Sequence, residues 1–126
     1  MEEHLKELKI LIVDDELDYL NLMKRLLLDA GFQNIDTAES GNEALEKVKY
    51  SQPEVVLLDT KLPDIDGFEV CAAIKKTARL KIKVILYTAY IDAVNAAKAR
   101  TSGADEYCAK ITDVATFSEI IETFIN

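Results

Sequence analysis

At 126 residues and 14.1 kDa, the chain has the length of one domain and can bury a single core without disulfides or metal staples. A hydrophobic content of 49% marks it as globular rather than disordered, and a formal net charge of −8 argues against nonspecific binding to nucleic acid or an anionic membrane. Residues 1–7 are charged and mixed in sign, unlike a secretory signal, and no apolar run approaches membrane-spanning length, so the expected compartment is the cytoplasm. That stretch, which holds the only histidine, His4, is expected to be a tail on a core running from about residue 8 to 126.

The first apolar run, Lys9–Val13, ends in Asp14 and Asp15 and reads as a strand finishing in two acids. Leu20, Met23, Leu27 and Ala30 then recur at helical spacing up to Gly31, the residue expected just past a helix end. Asn34–Ala38 is a weaker strand. Ser40 and Glu43 have the spacing of a capping box for a second helix, which runs to about Tyr50 and is stopped by Ser51-Gln52-Pro53. Val55, Val56, Leu57 and Leu58 form an unbroken apolar run with two β-branched members, the pattern of a strand covered on both faces. Asp59 follows it, and Pro63 and the Asp66-Gly67 pair then break regular structure and start a new helix.

Phe68, Cys71 and Ile74 give this third helix one apolar stripe, with Lys75, Lys76 and Arg79 on its solvent side. Lys83–Thr88 is a fourth strand that ends in a hydroxyl. Residues 91–102 are alanine-rich and helical, stopped by Gly103, and Glu106–Ala109 is a fifth strand ending at Lys110. Asp113 is the expected N-cap of a last helix whose buried side is Val114, Phe117, Ile120, Ile121 and Phe124. Cys71 and Cys108 show no metal-ligand spacing and read as buried thiols.

Five strands alternating with five helices through short loops predict an α/β domain: a doubly wound, five-stranded parallel sheet with right-handed crossovers. The flavodoxin-like order 2-1-3-4-5 is favoured, because it makes the acid-tipped first and third strands neighbours at the topological switch point. A parallel sheet also carries Asp14, Asp15, Asp59, Thr88 and Lys110 to one edge. Three carboxylates meeting there repel one another, by roughly 4 kcal/mol per pair at about 4 Å under an effective dielectric near 20, and a divalent cation relieves that repulsion. All-oxygen ligation suits magnesium, or manganese in its place, better than zinc, which takes His or Cys. With a hard-cation cluster and no histidine base, the expected chemistry is phosphoryl transfer to a carboxylate.

On these residues the chain resembles the receiver domain of two-component response regulators. The acid pair, the strand ending in Asp59 with a Pro and a Gly beyond it, Thr88-Ala89, the run from Gly103 to Tyr107, and Lys110 fall in that family's order and spacing. The resemblance implies that Asp59 is the phosphoacceptor for a phosphohistidine on a sensor histidine kinase or a histidine phosphotransfer protein. It implies that Asp15, Asp59 and the backbone carbonyl of Lys61 bind magnesium, with Asp14 acting mainly through water. It also implies that Lys110 and Thr88 contact the phosphoryl group, and that Tyr107 is an aromatic switch turning inward as Thr88 moves. The chain departs from the family at Ile111, where receivers usually carry proline after the lysine. Around the pocket, Ala89 leaves access open, while Lys61 and Tyr90 are placed to shield an acyl phosphate from water.

Such a domain is a phosphorylation-controlled binding module with self-catalysed phosphotransfer and autodephosphorylation rather than a conventional enzyme. The competing enzyme, a haloacid-dehalogenase-type phosphatase, places a second aspartate two residues after its nucleophile, where this chain has Lys61. A flavin or nucleotide site would want a Gly-, Ser- or Thr-rich loop after the first strand, where Asp14-Asp15-Glu16 repels phosphate. A degenerate receiver that is never phosphorylated should have lost one of the five polar residues. The expectation is a stand-alone receiver, a monomer or weak dimer, with an excised domain of a longer regulator as the alternative. It would dock a downstream protein target through its fourth predicted helix, fifth strand and last helix, with no direct nucleic-acid or membrane partner.

Overall fold

The computed structural model describes residues 3–77, 81–110 and 114–125. Five parallel strands, β1 (Lys9–Val13), β2 (Asn34–Ala38), β3 (Val55–Asp59), β4 (Lys83–Thr88) and β5 (Glu106–Ala109), form one sheet in the order β2-β1-β3-β4-β5. The helices are α1 (Glu3–Lys6), α2 (Leu17–Asp29), α3 (Gly41–Ser51), α4 (Gly67–Lys76), α5 (Ala93–Ser102) and α6 (Val114–Ile125). The predicted strand order is the one observed.

Apart from Lys9, Asp59, Lys83 and Thr88 at their ends, the three central strands are apolar because both faces are covered, and their period-2 alternation sorts side chains between two cores. Ile10, Ile12, Val55, Leu57, Ile85 and Tyr87 pack with Leu20, Met23 and Leu27 of α2 and Phe117 and Ile121 of α6. On the other face, Leu11, Val13, Val56, Leu58, Val84 and Leu86 pack with Ala44 and Val48 of α3, Val70, Cys71 and Ile74 of α4, and Ala99 of α5. The stripes read from the sequence for α2, α4 and α6 therefore face the sheet. The parts assigned to Asp113, Arg79, Val114 and Phe124, and the Lys110–Ile111 junction, lie outside what the structure describes.

Among the described residues there are six helices, not five. The expected tail contains α1, whose Leu5 is 3% exposed and joins Leu8 and Phe32 in the first core. Gln33 N–H donates to the Lys6 carbonyl and the Asn34 side chain to the Glu7 carbonyl, which ties the segment to the start of β2. One apolar residue among charges gives no periodicity, which is why the sequence did not reveal this helix.

Helix boundaries follow local chemistry. Ser40 Oγ accepts from Glu43 N–H, while the Glu43 carboxylate accepts from Glu39 N–H, one residue earlier than in a standard capping box. Asp64, beyond β3, accepts the Gly41 and Asn42 amides and fastens the loop after Asp59 to the start of α3. α5 begins at Ala93 rather than at residue 91, because Asp92 is its N-cap and accepts from Asn95 N–H. Gly103 ends it with φ +86°, a left-handed conformation that favours glycine. Lys75 is not on the solvent side as expected: it pairs with Asp105 and donates to the Ile82 carbonyl. Cys71 and Cys108 are both free thiols, the first buried and the second half-buried.

Candidate functional site

At the carboxyl edge of the sheet, backbone bonds between strand ends assemble the site. Asp14 N–H donates to the Ala38 carbonyl at 3.0 Å, Thr60 N–H to the Tyr87 carbonyl at 3.1 Å, and Lys110 N–H to the Thr88 carbonyl at 2.9 Å. The strand register sets Val13 beside Leu58 and Asp59 beside Tyr87, which delivers Asp14, Asp15 and Asp59 to one place. A carboxylate oxygen from each of the three lies within 4.8 Å of the others. Asp15, Asp59, Lys61, Thr88, Ala89, Tyr90 and Lys110 line a single cavity of about 670 Å³, together with Phe68 and Lys98.

Gly67 is required where α4 turns away from this cavity. Its N–H donates to the Thr60 carbonyl at 2.9 Å, and a Cβ there would collide with the Asp59 carbonyl oxygen and the Thr60 backbone. Glycine thus lets α4 begin directly against the turn that holds Asp59.

The carboxylates differ in surroundings. Asp14 is fully buried, yet every donor it needs is at hand: Glu16 N–H donates to Oδ1 at 2.9 Å, and the Tyr87 hydroxyl donates to Oδ2 at 2.8 Å. Lys110 Nζ stands 3.3 Å from the same Oδ2. Asp15 is exposed. Asp59 is 8% exposed, and Lys61 N–H donates to its Oδ1 at 3.2 Å. Burial and then the neighbouring Asp14 outweigh the Lys61 amide and the Lys110 charge, and the Asp59 carboxyl is pushed up to about 6. Three crowded acids, one of them reluctant to ionise, with no His or Cys beside them, are a donor set that fits a hard divalent cation.

Lys110 does not rest on Asp59. Its ammonium is 2.8 Å from Glu16 Oε1 and 4.4 Å from the centre of the Tyr19 ring. Partial burial works against its charge, but Glu16, Asp14 and Asp59 together hold its pKa above the ordinary lysine value. Thr88 is 7% exposed, and its Oγ1 accepts from Tyr90 N–H at 3.2 Å. Tyr90 itself is 79% exposed. Tyr107 lies apart from the cavity, opposite Leu86 in the sheet and packed against the second core. Its hydroxyl is enclosed beside the Asp92 backbone, with no hydrogen-bond partner among the described residues.

Sequence reasoning overlooked Glu16, Tyr19 and Tyr87 as members of this cluster. Burial and Asp14 hold the Tyr87 phenol far above its usual value, so it stays a donor. A signal was available. Tyr87 ends an apolar strand run immediately before Thr88, and a buried tyrosine needs an acceptor for its hydroxyl. Tyr19, 9% exposed, packs its ring at 5.4 Å from that of Tyr87, at an angle of 50°.

Known proteins share this fold. The chain is 37% identical over 101 residues to the transcriptional regulatory protein AfsQ1 of Streptomyces coelicolor, a stretch covering 80% of this chain and 44% of that protein. It thus spans about half the length of the curated relatives it matches. A CheY-like receiver domain protein from Methanospirillum hungatei has a similar structure, with TM-score 0.84 and 31% identity over 93% of this chain and 92% of that one. The CheX–CheY–BeF3–Mg2+ complex of Borrelia burgdorferi gives TM-score 0.82 and 26% identity over 94% of this chain and 90% of that chain. Residues 10–122 match the response regulator receiver domain, and the chain accordingly belongs to that family.

Proposed function

We propose that this domain takes a phosphoryl group on Asp59 from a phosphohistidine of a sensor kinase or phosphotransfer protein and, while phosphorylated, changes its affinity for a downstream protein. The observation that carries this reading is the meeting of Asp14, Asp15 and Asp59 within 4.8 Å, with Asp15 and Asp59 lining a cavity that Thr88 and Lys110 also line.

In the proposed transfer, a carboxylate oxygen of Asp59 attacks phosphorus, a P–O bond forms as the P–N bond to the donor imidazole breaks, and the departing nitrogen keeps the bonding pair and takes a proton from water. The three peripheral oxygens of the moving phosphoryl group carry negative charge, and what the protein supplies is position and countercharge. Lys110 reaches one oxygen from its place beside Asp14, and Thr88 donates its hydroxyl to another. Asp15, Asp59 and the Lys61 carbonyl are the proposed ligands of a magnesium ion, or manganese in its place, with Asp14 acting through water. When bound, that cation neutralises charge on the phosphoryl oxygens and on the acid cluster. The Mg2+ named in the Borrelia complex, whose fold is similar, supports magnesium as the cation.

A charge-assisted bond from Thr88 is worth about 1.5 to 3 kcal/mol. Moving a population from 1:99 to 99:1 takes about 5.5 kcal/mol. Phosphorylation through Thr88 alone therefore biases the switch without saturating it, and binding of a target at the face of α5, β5 and α6 supplies the remainder. Tyr107, between Leu86 and the α5 end of that face, is the proposed reporter of the shift. The carrier is a cytoplasmic module without a conventional catalytic cycle, and hydrolysis of its own acyl phosphate resets it.

Incubation with acetyl phosphate and magnesium, followed by intact mass, tests the reading. Wild type gains one phosphoryl group and Asp59→Asn gains none. Absence of an adduct at every magnesium concentration favours a degenerate receiver.

A further inference from the structure

A hydroxyl has one proton to give, and the Tyr87 hydroxyl lies 2.8 Å from Asp14 Oδ2 and 3.2 Å from the Val13 carbonyl. The shorter contact is to the charged acceptor, so the proton belongs to Asp14. Asp14 Oδ2 then has two donors, Tyr87 and the Lys110 ammonium, while Oδ1 is held by Glu16 N–H. Of these, only Lys110 is on a long stem that can swing, and it has a second anchor at Glu16. Tyr87 cannot leave: it is 1% exposed, its ring packs on Tyr19, and it stands beside Asp59 in the strand register.

We propose that Tyr87 is a positioning residue of the cation site: its hydroxyl is the resident donor to Asp14 and lets Lys110 leave that carboxylate when a cation and a phosphoryl group arrive. This rests on the reading of the acid cluster as a cation site. A buried carboxylate oxygen that loses its only partner costs free energy, so a Lys110 that served alone would be held in place. With the tyrosine present, departure of the ammonium leaves Oδ2 still bonded. The ion pair between Lys110 and Asp14 becomes exchangeable, and the ammonium no longer competes fully with the cation for the acid cluster. Tyr87 thus acts through Asp14 and Lys110 and need not touch the phosphoryl group.

Tyr87→Phe keeps the ring and its stack on Tyr19 and removes only the hydroxyl. Calorimetric titration of the unphosphorylated chain with magnesium chloride should show affinity weakened about tenfold in Tyr87→Phe. Removing the competing ammonium as well, in Tyr87→Phe with Lys110→Ala, should return affinity to within about threefold of wild type. Urea unfolding in EDTA reports any general loss of packing separately. Stability lost in EDTA with magnesium affinity unchanged would mean a purely structural tyrosine and would overturn the proposal. So would a double variant as weak as Tyr87→Phe, or a wild type that takes up no magnesium. A wild type that binds magnesium with the expected Tyr87 effect but forms no acetyl phosphate adduct keeps this inference and removes the phosphoacceptor reading instead.

Discussion

At the scale of single residues, Asp59 pays a stability penalty for its position. Its carboxyl is pushed to about 6, above the ordinary aspartate value, by burial and by Asp14. The folded chain therefore holds the Asp59 proton more tightly than the unfolded chain. Below about pH 4 both states are protonated and the penalty is absent; it grows as pH rises to about 6 and is complete above that. Its full size is on the order of 3 kcal/mol without a cation. In EDTA at pH 7, Asp59→Asn should accordingly be more stable than wild type by urea unfolding, and the advantage should shrink toward zero near pH 4. Equal stabilities at both pH values would show that the charge is not costly. Lys61 and Tyr90 pose a different question, since both are exposed at the cavity mouth. If they screen an acyl phosphate from water, Lys61→Ala or Tyr90→Ala should speed loss of the phosphoryl group severalfold, measured by decay of the phosphorylated mass in excess EDTA. Unchanged decay in both refutes the screening.

Among the elements, α1 supports the fold away from the site, whereas the start of α4 packs directly on it. α1 buries Leu5 against Leu8, Ile10 and Phe32 below the sheet, at the end opposite the acids. Leu5→Ala should lower unfolding stability by about 2 to 4 kcal/mol in urea melts, as for other buried leucines, and should leave the magnesium affinity of the distant acid cluster unchanged. A loss under about 0.5 kcal/mol, the usual scale of a surface change, would return residues 1–7 to the status of a tail. α4 is the more demanding element, because its first residue touches the backbone of the turn carrying Asp59. The sequence marked Gly67 as a helix-start signal, but a close approach between two segments is a property of packing, and no local pattern announces it.

For the molecule as a whole, charge and stability are linked through the acid cluster. A ligand that binds only the folded chain adds about 2.7 kcal/mol at a hundred times its dissociation constant. Magnesium should therefore raise the unfolding free energy by about that amount at pH 7, compared with EDTA in paired urea melts. Protons compete for Asp59 below its pKa of about 6, so the increment at fixed magnesium should shrink at pH 5. A pH-independent increment would place the cation away from Asp59.

Much of this architecture was written in local pattern. An apolar strand run followed by an acid or hydroxyl can be read one segment at a time, and the alternation of strands with helices restricts the connections to very few topologies. That is why the sheet order and the convergence of Asp14, Asp15, Asp59, Thr88 and Lys110 were legible from the chain alone. The partners of those residues were not. Tyr87 and Asp14 are 73 positions apart, and Glu16 and Lys110 are 94 apart. Whether such pairs meet depends on strand register and on how side chains turn within a few Å, and those are fixed only when every segment packs at once.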